Sequence, residues 1–162
     1  MMWYPKFTPP WVQGLFKGLV WNGPKSNNQI YLTFDDGPKT GSTESLLQTL
    51  SDLGVKATFF CVGQNIEKRP GLLKSMLANG HQVGGHSFSH CNGWNTPFND
   101  YIQNVNKGQA LIPTRLFRPP YGRLTLRQMN YLKKREKVVM WDVIPGDFDP
   151  GRTVHDLSLI HI

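Results

Sequence analysis

Long apolar runs, acidic side chains and cysteines are all scarce in this 162-residue chain. The nearest approach to a membrane span, around Trp11, Val12, Leu15, Phe16, Leu19 and Val20, is interrupted by Gln13 and Lys17. It therefore fits neither a bilayer-crossing helix nor a secretory leader core. The 2 cysteines, Cys61 and Cys91, assign no redox compartment. Cys61 lies in an apolar segment and reads as a buried thiol; Cys91 follows His90 and reads as a bystander, with a bridge between them left open. Acids number 11 against 18 Lys and Arg, a formal charge of +7 that suits an anionic partner such as wall polymer or acidic lipid. No recognisable nucleic-acid-binding motif accompanies that charge, so nucleic acid is not an expected partner. The densest basic run, Lys133 to Lys137, is broken by Glu136 and reads as a solvated helix end complementing the helix dipole. Repeats and low-complexity tracts are absent too. A hydrophobic content of 39% with 12% aromatics, at this length, implies one packed domain rather than a disordered chain.

After residue 29 apolar segments and helical patterns alternate. Strands are expected at 30–34, 57–62, 81–84, 116–118 and 138–143, and helices at 43–53, 70–79, 99–111 and 125–134. The helix signals are local: Ser and Thr ahead of Glu44 and Gly54 at its end, then Pro70 near a start and Gly80 beyond an end. Repeated βα units imply a parallel sheet with right-handed crossovers. The first 29 residues stand apart as an N-terminal amphipathic segment, with helical spacing behind Pro9-Pro10. Its preferred reading is a cap over the bottom of a barrel. The other reading is a peripheral membrane contact through residues 9–21, for which its Trp, Phe and Lys content is suited.

Chemistry concentrates at three clusters. In Thr33-Phe34-Asp35-Asp36-Gly37-Pro38 two carboxylates stand side by side where an apolar strand gives way to a turn, and adjacent carboxylates call for a positive charge between or beside them. A divalent ion supplies it, with one carboxylate as ligand and the other free as base. His86 and His90, at i and i+4, would share one face of a helical turn and complete an open metal site. In Arg118-Pro119-Pro120-Tyr121-Gly122 two prolines stiffen a loop, fixing an Arg that can orient the base and a Tyr121 N–H that can serve an oxyanion. Each cluster alone has a bland alternative: surface histidines, or a Pro-rich turn with a salt-bridged Arg.

Together, TFDDGP, HSFSH and RPPYG resemble the first three motifs of the metal-dependent polysaccharide deacetylases, carbohydrate esterase family four or the NodB-homology domain. The resemblance runs from about Ile30 to Asp149. It implies an α/β fold, a distorted (β/α) barrel of the polysaccharide deacetylase type, with residues 30–162 as catalytic domain. By position it implies Asp35 as catalytic base, Arg118 as the residue positioning it, and Asp36, His86 and His90 as ligands of one divalent metal ion. Zinc is the usual metal, with cobalt or another divalent ion substituting. Pro119, Tyr121 and Trp141 are the expected substrate contacts. The implied activity is hydrolytic removal of acetyl groups from an N-acetylated amino-sugar polymer such as peptidoglycan or chitin, and the implied location is the bacterial cell envelope. O-deacetylation of acetylxylan and a non-catalytic carbohydrate-binding role remain the alternatives. The family's fourth motif, Asp-x-x-Asp-Trp, is met by Ile144-Pro145-Gly146-Asp147-Phe148, which keeps Asp147 as the surviving catalytic acid, with Asp142 as a candidate to compensate. The fifth, Leu-x-His, has only Leu159-Ile160-His161 to offer, too close behind the fourth. That match reads as accidental, and the barrel as incomplete at its C-terminal end.

Overall fold

A computed structural model describes residues 7–24 and 29–144. Asp147, His161 and the whole tail from 145 lie outside the described residues. Helix α1 (Pro10–Leu15) precedes β1 (Thr33–Gly37), α2 (Ser42–Asp52), β2 (Thr58–Cys61), α3 (Gly63–Lys68), α4 (Pro70–Ala78), β3 (Gln82–Gly85), α5 (Phe98–Gln109), β4 (Leu116–Phe117), α6 (Leu126–Leu132) and β5 (Lys137–Val138). Short 3-10 turns occupy Gly93–Asn95 and Pro120–Gly122. The strands form one parallel sheet in chain order, β1 to β5. A parallel sheet needs crossovers, and the intervening helices supply them.

Local sequence explains most boundaries. Thr125 accepts a hydrogen bond from the Gln128 N–H while the Gln128 side chain answers to the Thr125 N–H, a reciprocal cap that starts α6. Pro70 opens α4, and the left-handed Gly54 and Gly80 follow the ends of α2 and α4. Two apolar clusters hold these elements to the sheet. Leu47, Leu50, Phe59, Ile66, Met76 and Val83 form one, and Tyr101, Val105, Phe117, Leu132 and Val138 the other. Burial of this kind supplies about 25 cal/mol per Å² of apolar surface, the main term opposing chain entropy.

The N-terminal segment departs from the expected cap. Its helix stops at Leu15, and Gly18, at φ 95°, turns the chain back. Val20 then pairs in parallel beside β5: its N–H donates to Val138 O and its carbonyl accepts from the Met140 N–H, both at 2.8 Å. Thr8 donates to Asp142 O, and Phe7 bridges Val143. The segment thus covers the free edge of β5 rather than the bottom of the barrel. Edge backbone left unpaired would expose a row of N–H and C=O groups, and this strap satisfies part of it. Trp11 and Leu15 stay exposed on the outer face of α1. Among the described residues no helix is long and apolar enough to cross a membrane.

Candidate metal centre and its neighbours

The carboxyl ends of the strands bring the three clusters together. Phe34 lies opposite Phe59 and Gly37 opposite Cys61, so β1 spends one more residue than β2 between those pairs. That bulge, with Asp36 in the left-handed region at φ 66°, sends the adjacent carboxylates to different partners. Asp36 Oδ1 lies 3.0 Å from His90 Nε2 and 3.5 Å from His86 Nε2. Asp35 Oδ1 instead accepts from Arg118 Nη1 at 2.8 Å.

His86 and His90 do not share a helical turn, as their spacing suggested. Residues 86–90 form an irregular loop in which Ser87 and His90 have φ of 58° and 57°. The rings still meet, with centroids 5.0 Å apart. Helix α5 fixes the loop: Asn104 Oδ1 accepts from the N–H groups of Phe88 and Ser89, and its Nδ2 donates to Ser89 Oγ. Gly63 and Gly108 allow the backbones to close around it, since a Cβ on Gly108 would stand 2.9 Å from the Ser87 carbonyl carbon.

The donor set fits a divalent ion. One oxygen or nitrogen from each of Asp36, His86 and His90 lies within 4.8 Å of the others. His86 Nδ1–H donates to Arg118 O at 2.7 Å, leaving Nε2 as the lone-pair nitrogen facing Asp36. Burial lowers the His86 pKa and so favours the neutral imidazole that ligation needs. The hydrogen bond from His90 leads the causes that hold Asp36 below the usual carboxylate range, outweighing its partial burial. Three protein donors with open positions are a catalytic rather than a closed structural arrangement.

Arg118 organises the other half of the site. It is 3% exposed, and its guanidinium donates to Thr33 Oγ1 (2.8 Å), Asp35 Oδ1 (2.8 Å), Met140 O (2.8 Å) and Val139 O (3.4 Å). The Phe60 ring lies 4.2 Å below it and the Trp141 ring 5.7 Å away. Trp141 also packs against Gly122, where a Cβ would come within 2.7 Å of the indole. Tyr121, at φ 59°, is turned outward, 57% exposed, with its ring 4.7 Å from that of His90. The backbone hydrogen bonds of the turn run from Gly122 N–H to Pro119 O and from Arg123 N–H to Pro120 O; neither uses the Tyr121 N–H. Pro119, expected to touch substrate, is fully buried and supports the loop from beneath. Asp142 does not join the Arg118–Asp35 pair; it accepts from Gln13 of the N-terminal strap. Both cysteines are free thiols, with burial pushing Cys61 up to about 12. Asn104, which holds the histidine loop, carried no recognisable signal in the sequence; Thr33 lies in the TFDDGP motif, but its contact with Arg118 comes only with the fold. A cavity of about 640 Å³ opens at the other end of the sheet, lined by Leu77, Val83, Leu116 and the basic run after α6, well away from this chemistry.

A parallel α/β sheet with an open aspartate–dihistidine cluster, set beside a second aspartate clamped by arginine, defines the class of site. The chain belongs to the polysaccharide deacetylase family, whose model matches residues 22–138. It is 32% identical over 136 residues to a peptidoglycan-N-acetylglucosamine deacetylase of Bacillus cereus, an alignment covering 80% of this chain and 50% of that protein. It is 41% identical over 131 residues to the peptidoglycan-N-acetylglucosamine deacetylase PgdA of Listeria monocytogenes, covering 76% of this chain and 28% of the relative. The fold matches a family 4 carbohydrate esterase from Streptomyces lividans, solved in complex with acetate, with TM-score 0.73 and 30% identity over 81% of this chain and 71% of that one. The chain spans half or less of the length of these two curated relatives. The expected α/β architecture, a partial barrel of this family, is what the sheet and its neighbours show.

Proposed function

We propose that this chain hydrolyses acetamide groups on N-acetylated amino-sugar polymers of the bacterial cell envelope. The observation that carries the reading is the division of labour between adjacent carboxylates, Asp36 with the two histidines and Asp35 with Arg118. The similar proteins from Bacillus cereus and Listeria monocytogenes are themselves named as deacetylases. Asp36, His86 and His90 would hold a divalent ion, zinc by its tolerance for mixed nitrogen and oxygen donors. When bound, the ion supplies Lewis-acid polarisation of the acyl oxygen and acidifies water. Asp35, fixed through one carboxylate oxygen, keeps the other for taking a proton from the attacking water. The Tyr121 N–H is a donor for the oxyanion, an interaction worth roughly 3–4 kcal/mol when well placed. Expelling the amine then needs a proton. His161, which stands where only an accidental match to the family's fifth motif was read, lies outside the described residues.

Zinc calorimetry and acetate release on one set of variants test this. Wild type and Asp35→Asn are expected to bind one ion, the Asp36→Ala/His86→Ala double variant none. Acetate release from N-acetylated oligosaccharides should occur in wild type and vanish in Asp35→Asn. Unchanged release by Asp35→Asn would remove Asp35 as base. Release only from acetylxylan would replace the N-acetyl substrate, and saccharide binding without release would leave a carbohydrate-binding protein.

A further inference from the structure

Next to the metal centre two loops build an exposed aromatic and cationic surface with no role in holding the ion. Trp94 is 62% exposed, yet it is not loose. Its N–H donates to Asn92 Oδ1 at 3.0 Å and its indole Nε1–H to Leu124 O at 3.1 Å. Gln128, wholly buried, donates from Nε2 to Gly93 O and Thr96 O, tying the Trp94 loop to the start of α6. Gly93 permits the contact, since a Cβ there would lie 2.3 Å from Arg123 O. The Arg123 guanidinium carbon sits 4.9 Å from the Trp94 ring centroid and 6.0 Å from that of Tyr121. Tyr121 in turn touches His90. The line His90, Tyr121, Arg123, Trp94 therefore runs outward from the metal ligands as a continuous surface.

Such a surface needs a reason. Large exposed aromatics held in one geometry forgo burial, and they are the usual means of docking the apolar face of a flat ligand. Arg123 makes no ion pair with a carboxylate among the described residues. A guanidinium lying over an indole keeps its N–H edge free, and that planar edge matches a carboxylate in bidentate geometry. We propose that Trp94 and Arg123 form a subsite for a second saccharide unit bearing a carboxylate, adjacent to the acetamido sugar at the metal centre. Trp94 stacks on that sugar ring and Arg123 pairs with its carboxylate. The sequence offers Trp94, in the loop 92–99, equally as a sugar-stacking or a packing residue, and only the fold brings Arg123 to it. This inference rests on the saccharide reading above and extends it to the charge of the neighbouring unit.

The test measures binding to metal-loaded Asp35→Asn protein, which turns substrate over slowly or not at all. Two tetrasaccharides serve as probes: neutral N-acetylglucosamine tetramer, and alternating N-acetylglucosamine–N-acetylmuramic acid tetramer with free lactyl carboxylates. The acidic probe is expected to bind more tightly, and Arg123→Gln to reduce that preference about tenfold, the scale of one charge-assisted pair. Arg123→Lys should restore part of it, and the preference should weaken as salt rises. Trp94→Ala is expected to weaken both probes together. Equal affinity of the parent protein for both probes, or a preference untouched by Arg123→Gln, overturns the subsite. Circular dichroism of each variant separates lost binding from lost fold. Acetate release by wild type is scored separately: discrimination without release sinks the hydrolase and leaves the subsite, whereas release without discrimination does the reverse.

Discussion

Replacing Arg118 by lysine keeps the charge and should still damage the protein in two measurable ways. The guanidinium makes four hydrogen bonds, two to side chains and two to main-chain carbonyls, from a position only 3% exposed. A lysine ammonium on a shorter fork can reach one or two of these, leaving at least one carbonyl of Val139 or Met140 without its donor. Hydrogen bonds to charged groups contribute roughly 1.5–3 kcal/mol each, and a stranded buried acceptor costs about 1–3 kcal/mol. Asp35 is 33% exposed, so the ionic part is partly screened and deserves the low end. Non-additivity trims the total to about 3–5 kcal/mol, in line with breaking buried ion pairs generally. For a domain of this size each kcal/mol moves Tm by about 2–4 °C, so the loss should be roughly 10 °C. The chemical effect is separate. With the cation no longer anchored on Thr33 and Met140, Asp35 loses its fixed position; on the proposed role of Asp35 as base, acetate release should drop by about two orders of magnitude, while zinc affinity changes little. Differential scanning calorimetry, zinc titration and acetate assays read the three quantities. A Tm within 1 °C of wild type would refute the claim that this guanidinium is a structural hub, and unimpaired release would refute its positioning of Asp35.

Two further outcomes follow from packing and charge. Burial lowers the pKa of His81, whose Nδ1 accepts from the Ala57 N–H, and of His86. A group depressed in the folded state adds stability above its unfolded value, near pH 6.5, and loses it as pH falls through the folded value. Unfolding in urea should therefore become easier below about pH 6.5, with His81→Asn showing a shallower acid slope; a slope equal to wild type would remove His81 from the account. Deleting residues 1–22 removes the backbone bonds of Val20 and Thr8 to the β5 edge and should lower stability by about 2–4 kcal/mol. Unchanged unfolding with lost liposome binding would restore the membrane reading of that segment.

How much of this was legible in the chain differs from element to element. Helices α2, α4, α5 and α6 were readable to within two residues because Pro, Gly and Thr mark their ends. Helix α3 was not foreseen: six residues begin directly after an apolar strand, and only Gly63 and Ile66 are buried in it. Strand β1 was expected from residue 30 and begins at Thr33: Ile30, Tyr31 and Leu32 are exposed, and only the Leu32 carbonyl reaches β2, accepting from the Thr58 N–H. For the candidate site, the sequence named the residues that the fold brings together, Asp36 with His86 and His90 and Asp35 with Arg118, but not how they meet. The spacing of His86 and His90 suggested a helical turn, but the left-handed Ser87 and His90 bring the rings together by another route. The placement of Thr33, Asn104 and Arg123 depends on long-range packing, which no local pattern encodes.

The order of the sheet has a consequence for how the chain acquires its shape. Each strand from β2 to β5 pairs with the one just before it, so the sheet can grow one strand at a time as the polypeptide lengthens. Such steps close shorter loops than pairing of distant strands would, which lowers the entropy each one costs. The strap is the exception: Thr8 and Trp141, joined by a hydrogen bond, are 133 positions apart. The earliest described residues must therefore wait for the last strand before they have anything to dock on. Until β5 and the residues after it are laid down, Phe7, Thr8 and Val20 have no edge to lie against, and a nascent chain halted before residue 138 would carry the first four strands and a tethered, undocked strap.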